Sequence, residues 1–281
     1  MIDYKNALQL ANKAGGMDEI EANNFLELLM SSTLSEADGA ALLVQLAERG
    51  ETGPEVAAFV KGLRKHAVQC DFHTPALDVC GTGGSGLTRY NISTTVAFIC
   101  AAAGIPVAKH GNRGSQKPNG SFDLLDALEV PFSFNGEQLA HVIKETNVCF
   151  LFARLMHPAV GKVVPYRKAA GRRSIFNLAG PLANPAQISH QIIGTTNEKT
   201  ASILAEALQA LHVERACVVW GAPGIDEFSV TGASDYFLIS KDGIQQGRRE
   251  DALHPALDHA ALPGGNADEN AGIFQRLLSG E

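Results

Sequence analysis

Apolar residues recur at helical spacing through the first 67 residues of the chain, and no alternating strand pattern interrupts them. The apolar stripes lie at 22–29, 42–46 and 56–63. Ser35 and the acidic Asp38 three positions later have the form of a capping box, and Gly50 is typical of a residue that ends a helix. The pattern predicts four short helices that form a packing or dimerisation module.

A polar, mixed stretch at 66–75 follows, and we interpret it as a linker. Beyond it, apolar runs predict strands at 76–80, 105–108, 148–153, 191–194 and 216–220, and periodic segments predict helices near 92–103, 137–145 and 199–211. Because the strands are almost unbroken apolar runs, we expect a parallel sheet with helices on both faces. From Lys241 the chain is rich in glycine and polar residues, which predicts a tail with one final helix at 269–279.

Composition and charge narrow the class of protein. The chain has 281 residues, of which 45% are apolar and 19% charged, so a disordered chain is excluded and two folded domains are expected. No apolar run has the length of a membrane span, and the N-terminus lacks the pattern of a secretory signal. Five scattered cysteines without a C-x-x-C pair favour thiols in a reducing compartment, and a net charge of −7 gives no overall attraction to nucleic acid or membranes. We therefore expect a cytoplasmic globular protein.

A glycine-rich loop, GTGGSG at 81–86, follows the first predicted strand and precedes an apolar helix. Its spacing matches the dinucleotide-binding motif G-x-G-x-x-G, which also requires an acidic residue about 20 positions later. From Val79 to Phe122 there is no aspartate or glutamate, so a nicotinamide cofactor is excluded. The cationic residues of the same stretch are Arg89, Lys109, Arg113 and Lys117, with His110 beside them.

This loop has the features of a polyphosphate cradle. Glycines allow main-chain N–H groups to approach a ligand closely, and the N-terminus of the following helix adds a positive dipole. Asn91, Ser93 and Thr94 would be the donors of its first turn. A tight glycine turn with an ordinary helix cap is the alternative interpretation.

Two further polar segments follow predicted strands. KHGNR at 109–113 lies at the carboxyl edge of the sheet, where open α/β sheets bind ligands. Asp226 and Glu227 are adjacent on a loop after the strand that ends at Trp220, and they repel one another unless a positive charge lies between them. Mg²⁺ held by carboxylates and substrate phosphates would supply that charge. Solvated loops are the alternative for both segments.

Taken together, these residues resemble the anthranilate phosphoribosyltransferase family along essentially the whole chain. The resemblance is carried by DVCGTGGSG, NISTTVAF, VAKHGNR, HPAVGKVVPYRKAAGRRSIFNLAGPLANPA, GIDEFSVTG and GGNADENAG. It implies an α/β fold in which a small N-terminal helical domain, 1–70 with a returning segment near 158–175, is hinged to a larger α/β domain, 71–281, with a mostly parallel central sheet as in nucleoside phosphorylases. It also implies a homodimer formed through the helical domain. The implied reaction is transfer of phosphoribose from phosphoribosyl pyrophosphate to anthranilate in tryptophan biosynthesis.

The resemblance also implies site residues, position by position. Phosphoribosyl pyrophosphate would contact Gly81, Thr82, Gly83, Gly84, Ser85, Asn91, Ser93, Thr94, Lys109 and Gly111. Anthranilate would contact Gly81, His110, Asn112, Ala153, His157 and Arg167, with Arg167 facing the carboxylate. Mg²⁺ would be held by Ser93, Asp226 and Glu227. No general base is assigned, because the amine of anthranilate needs little deprotonation before it attacks.

Four features depart from the family pattern. Ser85 stands where the family has aspartate, Gln116 and Lys117 replace a serine pair, and Arg154 lies in an unusual stretch before His157. Relatives also continue beyond the segment that matches the end of this chain at Glu281, so we expect exposed apolar surface on the α/β domain. The alternatives are a related transferase or phosphorylase with another acceptor and a non-catalytic relative that binds a polyanion.

Overall fold

The computed structural model describes residues 2–83, 89–114, 118–186, 188–251 and 264–281. The helices are α1 (Tyr4–Ala11), α2 (Glu19–Met30), α3 (Glu36–Arg49), α4 (Gly53–Lys65), α5 (Ile92–Ala102), α6 (Ser121–Ala127), α7 (Gly136–Thr146), α8 (Ala153–Met156), α9 (Val164–Ala170), α10 (Ile175–Leu182), α11 (Glu198–Ala210) and α12 (Ala267–Ser279), with a 3₁₀ helix at Pro158–Val163. The strands are β1 (Leu77–Gly81), β2 (Val107–Gly111), β3 (Val148–Phe152), β4 (His190–Gly194), β5 (Arg215–Gly221), β6 (Ser234–Ser240) and β7 (Gly243–Arg249).

The predicted four N-terminal helices are confirmed, and side-chain caps set their starts. Ser35 accepts a hydrogen bond from the main-chain N–H of Asp38 at 3.1 Å, which caps α3 as the sequence predicts. Thr52 and Glu55 form a reciprocal capping box at the start of α4. Gly50 ends α3 with φ of 90°, a conformation that favours glycine.

The seven strands form one sheet in the order β3-β2-β1-β4-β5-β6-β7. The five predicted strands, β1 to β5, are confirmed and pair in parallel, whereas β6 and β7 pair antiparallel at one edge. The prediction of an irregular tail from Lys241 is wrong for β7, although its final helix is confirmed as α12. The sequence of β7, GIQQGRR, lacks an apolar run because an edge strand is held mainly by main-chain pairing with one neighbour.

One face of the sheet is exposed at β4–β6 in the described part of the chain. Ile192, Cys217 and Leu238 are register partners across these three strands, and Ile192 and Leu238 are 37% and 45% exposed. The expectation that helices cover both faces is therefore wrong here.

The largest cluster of buried apolar residues joins the N-terminal helices to the α/β part of the chain. Phe59 on α4 contacts Phe176 on α10 edge to face, with ring centroids 6.2 Å apart, and the same cluster includes Leu204 on α11 and Val218 on β5. Gly53 permits close approach of α4 to α11, because a Cβ there would lie 2.2 Å from the Cβ of Glu206. The helical bundle thus packs directly on one face of the sheet and its covering helix.

The segment after β3 returns to the N-terminal helices. Tyr166 on α9 donates a hydrogen bond to the carbonyl of Leu34 at 3.3 Å, and its ring lies where a side chain on Gly39 of α3 would be. The division of the chain at residue 70 stays a prediction. Within the described ranges, no helix combines the length and apolar character that crossing a bilayer requires.

Candidate active site at the ends of the parallel strands

Two glycines at the carboxyl ends of β1 and β4 make room for the loop that carries Asp226. Gly81 and Gly194 are register partners. A Cβ on Gly81 would lie 2.7 Å from Oδ2 of Asp226, and a Cβ on Gly194 would lie 1.6 Å from its carbonyl oxygen. A side chain at either position would displace the loop that carries Asp226. The short distance from Gly81 also shows that the Asp226 carboxylate lies directly over the start of the glycine-rich loop.

The described part of the glycine-rich loop is tied to the sheet and to an arginine. The N–H of Thr82 donates to the carbonyl of Gly194 at 2.9 Å. Arg173 donates to the carbonyls of Thr82 and Gly83 at 3.2 and 3.4 Å. Arg173 lies within a motif that carries the family resemblance, but the sequence reasoning assigned it no role.

Four of the residues named from the sequence lie outside the described residues. They are Gly84, Ser85, Gln116 and Lys117.

Lys109 is a buried cation beside the N-terminus of α5. Its side chain is 1% exposed, and its amine donates to the carbonyl of Val79 and to Oγ of Ser93, at 3.1 Å for the latter. Burial is the largest influence on the pKa of Lys109 and lowers it. In the described ranges no carboxylate lies within ion-pair distance of this amine. An amine in this setting favours an anionic ligand.

The two other polar residues at this helix start differ in their surroundings. Thr94 is fully buried, and its hydroxyl has no hydrogen-bond partner among the described residues. The Asn91 side chain donates to the carbonyl of Asn119 and accepts from Asn270 on α12, both at 2.8 Å. Protein groups therefore hold both the amide nitrogen and the amide oxygen of Asn91, whereas no described residue pairs with the Thr94 hydroxyl.

Asp78 on β1 carries a buried carboxylate, which the sequence analysis did not single out. Its oxygens accept from the N–H of His110 at 3.2 Å and from the side-chain amides of Asn184 and Gln191 at 3.1 and 3.2 Å. We call these four residues the Asp78 cluster. Burial raises the pKa of Asp78 to about 6, and Lys109 and the hydrogen bonds act in the opposite direction.

Arg89 joins the two adjacent acids that the sequence analysis singled out. One terminal nitrogen of its guanidinium donates to Asp226 and the other donates to Glu227. We call this arrangement the Arg89 bridge. Burial, followed by repulsion from Asp226, raises the pKa of Glu227 to about 7, and Arg89 opposes this shift. The positive charge expected between the two acids is therefore a guanidinium in this structure.

The residues around the Arg89 bridge fit a Mg²⁺ ion that is bound together with phosphates. Among the described residues no group of three or more His, Cys, Asp or Glu side chains forms a metal cage. Mg²⁺, however, commonly uses one or two carboxylates and completes its shell with substrate phosphates and water. The carboxylate of Asp226 over Gly81 provides such an oxygen beside the predicted phosphate cradle.

Two buried histidines lie at the other side of the strand ends. His110 on β2 and His157 after α8 have ring centroids 5.1 Å apart in an edge-to-face arrangement. Burial lowers the pKa of both rings, that of His110 to about 3, so both are neutral near pH 7. Nε2 of His110 and both ring nitrogens of His157 lack hydrogen-bond partners of normal geometry in the described part of the chain.

The remaining predicted site residues lie at β2 and α8. Gly111, predicted to contact the donor substrate, ends β2. Of the residues predicted at the acceptor side, Asn112 is exposed just after β2, and Ala153 begins α8 half-buried. The neighbouring Arg154 is exposed, whereas His157 is buried.

Arg167 on α9 is a half-buried cation. It donates to the side chain of Asn177 at 3.5 Å and lies 5.7 Å from the ring centroid of Phe176. Burial lowers its pKa. Among the residues that the structure describes, no carboxylate is within ion-pair distance of its guanidinium.

Comparison with known proteins covers nearly the whole chain. The helical bundle domain of the glycosyl transferase family matches residues 9–67, and the α/β domain of that family matches residues 73–281. The anthranilate phosphoribosyltransferase of Sphingopyxis alaskensis is 39% identical over 267 residues, which are 94% of this chain and 80% of that protein. The protein of the same name from Thermomicrobium roseum is 39% identical over 272 residues, covering 94% and 78%.

Solved structures show the same likeness. The crystal structure of anthranilate phosphoribosyltransferase from Thermus thermophilus superposes with a TM-score of 0.86 at 38% identity, covering 98% of this chain and 83% of that one. The Saccharomyces cerevisiae enzyme, in complex with phosphoribosyl pyrophosphate and Mg, superposes with a TM-score of 0.87 at 23% identity, covering 98% and 80%. At 23% identity, the similarity to the yeast enzyme shows a shared fold only.

Proposed function

The chain belongs to the anthranilate phosphoribosyltransferase family, and we propose that its site transfers the phosphoribosyl group of phosphoribosyl pyrophosphate to the amine of anthranilate. The protein is a glycosyltransferase of tryptophan biosynthesis. The observation that carries the assignment is a pair of cations, Lys109 and Arg167, for which the described residues supply no carboxylate within ion-pair distance. One lies at the phosphate cradle and the other at the acceptor side.

The donor half of the site comprises the glycine-rich loop and the start of α5. Main-chain groups from Gly81 to Gly83, the Thr94 hydroxyl and the Lys109 amine would bind the phosphates of phosphoribosyl pyrophosphate. The bond between ribose C1 and the pyrophosphate oxygen breaks as the new C1–N bond forms, so negative charge grows on the leaving group. Fixed donors and a buried amine stabilise that charge without reorganising.

The acceptor half comprises Arg167, His157, His110 and Asn112. A guanidinium suits a carboxylate because it can form two parallel charge-assisted hydrogen bonds. Neutral imidazoles offer ring nitrogens that can accept from the aromatic amine and orient it. We assign no side chain as a general base, because a neutral aromatic amine attacks with its free electron pair and its nitrogen loses a proton to pyrophosphate or water after the C1–N bond has formed.

Mg²⁺ is the metal expected at this site, and it would supply additional charge stabilisation of the departing pyrophosphate. Asp226, Glu227 and the Ser93 hydroxyl would hold it, together with oxygens of the substrate. The yeast relative was solved with phosphoribosyl pyrophosphate and Mg, which supports the same pairing of metal and substrate here.

The function is tested by a turnover assay with anthranilate, phosphoribosyl pyrophosphate and Mg²⁺. Arg167→Ala removes a charge-assisted hydrogen bond of ~1.5–3 kcal/mol, so the KM for anthranilate should rise about 10- to 150-fold. The KM for phosphoribosyl pyrophosphate should change much less. Arg172→Ala is the matched control, because Arg172 is exposed and pairs with Glu48.

An unchanged KM for anthranilate in the Arg167 variant would remove Arg167 from the acceptor site. Wild-type protein that binds phosphoribosyl pyrophosphate without turning over anthranilate would favour another acceptor or a non-catalytic role.

Two wider assignments belong to the same proposal. A homodimer through the helical bundle is supported by Ile20 on α2, which is 74% exposed. Other apolar side chains of α2, such as Phe25 and Leu29, are buried within the chain, so the dimer surface is narrower than the sequence suggested. Ile20→Asp should yield monomers in sedimentation, and a monomeric wild type at micromolar concentration would contradict the dimer.

Five free thiols are consistent with a cytoplasmic location.

A further inference from the structure

The Arg89 bridge places a cation of the protein itself on both acids that are expected to bind Mg²⁺. Arg89 precedes Asp226 and Glu227 by 137 and 138 positions, so the contact depends on the fold and not on neighbouring sequence. The side chains of Arg89 and Asp226 are 9% and 11% exposed, and that of Glu227 is 23% exposed. The bridge is therefore nearly closed to solvent.

The two cations cannot share this position favourably. Each terminal nitrogen of Arg89 donates to a different carboxylate, so one guanidinium pairs with both acids and offsets one of their two negative charges. A divalent ion on the same carboxylates would lie beside the guanidinium, and like charges at that separation repel strongly where water is excluded. A guanidinium that stays on the two acids therefore weakens Mg²⁺ binding.

The main chain of Arg89 is held in place, which limits the change to its side chain. A Cβ on Gly264 would lie 2.2 Å from the carbonyl carbon of Arg89, so the approach to α12 packs tightly on this residue. Two positions later, Asn91 is hydrogen-bonded to Asn270 of α12 at 2.8 Å. A long side chain on a fixed main chain can turn from one anionic partner to another.

We propose that Arg89 is a tethered counter-ion that keeps Mg²⁺ off Asp226 and Glu227 until a polyphosphate draws its guanidinium away. Pyrophosphate oxygens offer arginine the same charge-assisted, two-nitrogen hydrogen bonding that the acids provide. Once the guanidinium has moved to the phosphates, the carboxylates are available to the metal. The inference rests on the proposed function, since it takes the donor substrate as the polyphosphate.

The test is a titration of the full chain with Mn²⁺, followed by electron paramagnetic resonance, in the absence of substrate. Arg89→Met should bind Mn²⁺ at least tenfold more tightly than the wild type, because the two acids lose their internal cation. Adding Asp226→Asn and Glu227→Gln to that variant should abolish the gain. Arg173→Met is the matched control: it removes an arginine that contacts the glycine-rich loop without freeing an acid, and it should bind Mn²⁺ as the wild type does.

Equal Mn²⁺ affinity in the wild type and a folded Arg89→Met variant would overturn the inference. So would a gain that persists after both acids are replaced. If Arg89→Met does not fold, as judged by circular dichroism, Arg89→Gln replaces it. A glutamine side chain is uncharged, so the variant should also bind Mn²⁺ more tightly than the wild type, and unchanged affinity would overturn the inference.

The outcome is separable from that of the proposed function. Tighter Mn²⁺ binding by Arg89→Met in a protein that fails to turn over anthranilate would retain the counter-ion and reject the reaction. Turnover by the wild type with no Mn²⁺ gain in the variant would retain the reaction and reject the counter-ion.

Discussion

The Asp78 cluster and the Arg89 bridge solve the same problem in different ways. Both remove carboxylates from water beside β1, Asp78 near the start of the strand and Asp226 at its end. Asp78 is held by one main-chain N–H and two short side-chain amides that come from β2, from residue 184 and from β4. Asp226 and Glu227 are held by the end of one long arginine side chain.

This difference in donors separates a carboxylate with a structural role, Asp78, from two carboxylates whose cationic partner can be exchanged, Asp226 and Glu227. The donors around Asp78 are fixed by strand register or have other partners, as Asn184 also donates to the carbonyl of Ala108 at 2.8 Å. Removing the carboxylate leaves the N–H groups that point at it without an acceptor inside the protein. The guanidinium of Arg89 can exchange one anionic partner for another without moving the main chain. We therefore expect the Asp78 cluster to determine stability and the Arg89 bridge to determine ligand binding.

The largest effect is expected when the Asp78 cluster is broken. Asp78→Ala leaves two or more buried donors without an acceptor at ~1–3 kcal/mol each, so the free energy of unfolding should fall by at least about 2 kcal/mol. Denaturant unfolding measures the loss. Asp235→Ala is the control, since Asp235 pairs with the exposed Arg248 and should cost less than about 1 kcal/mol. Similar losses in the two variants would show that the Asp78 cluster contributes no more to stability than an ion pair with an exposed arginine.

The next effect is a pH dependence that belongs to Asp78. Because burial raises its pKa from 3.8 to about 6, the folded state keeps a proton that the unfolded chain releases between those values. Its contribution to the free energy of unfolding is present below about pH 4 and is lost as the pH rises through 6. The loss is at most about 3 kcal/mol, from 1.36 kcal/mol per pKa unit.

This pH dependence is best measured as a difference between variants. The pKa of His110, lowered by burial to about 3, makes stability rise with pH over the same range and masks part of the effect in the wild type. Subtracting the free energy of unfolding of Asp78→Asn from that of the wild type isolates Asp78. The difference should fall between pH 4 and 6, and a constant difference would show that Asp78 ionises normally.

The smallest of the three effects concerns the loop under the Arg89 bridge. Gly194→Ala adds a methyl group that would clash with the carbonyl oxygen of Asp226, so the loop must shift. The free energy of unfolding should fall by about 1–3 kcal/mol. Phosphoribosyl pyrophosphate binding, measured by calorimetry with Mg²⁺, should weaken as well. Gly161→Ala is the control because its Cβ would meet open space. Unaltered binding in the Gly194 variant would mean that the position of Asp226 does not matter to the ligand.

The parts of this fold that depend on local pattern could be predicted from the sequence. Apolar runs located β1 to β5, and cap residues located the starts of helices such as α3. The edge strand β7 was missed because its residues are polar and its pairing is a main-chain property. Hydropathy could not have indicated it.

The candidate site divides in the same way. The glycine-rich loop, Lys109 and the adjacent acids stand out in the sequence because each is a short motif. The partners of Asp78 and of Asp226 depend on strand register and on contacts between residues more than 30 positions apart. Charge reasoning did require a cation between Asp226 and Glu227, but only the fold identifies it as Arg89.

The shared core between α4 and α11 has a consequence for synthesis of the protein. Phe59 and its neighbours leave the ribosome well before Leu204 and Leu208, which complete the same apolar cluster. At 5–20 residues per second, the nascent helical bundle waits on the order of 7–30 s for its covering helix. During that interval one face of α4 is open to water and to chaperones, so slow translation between these segments should increase aggregation of the nascent chain.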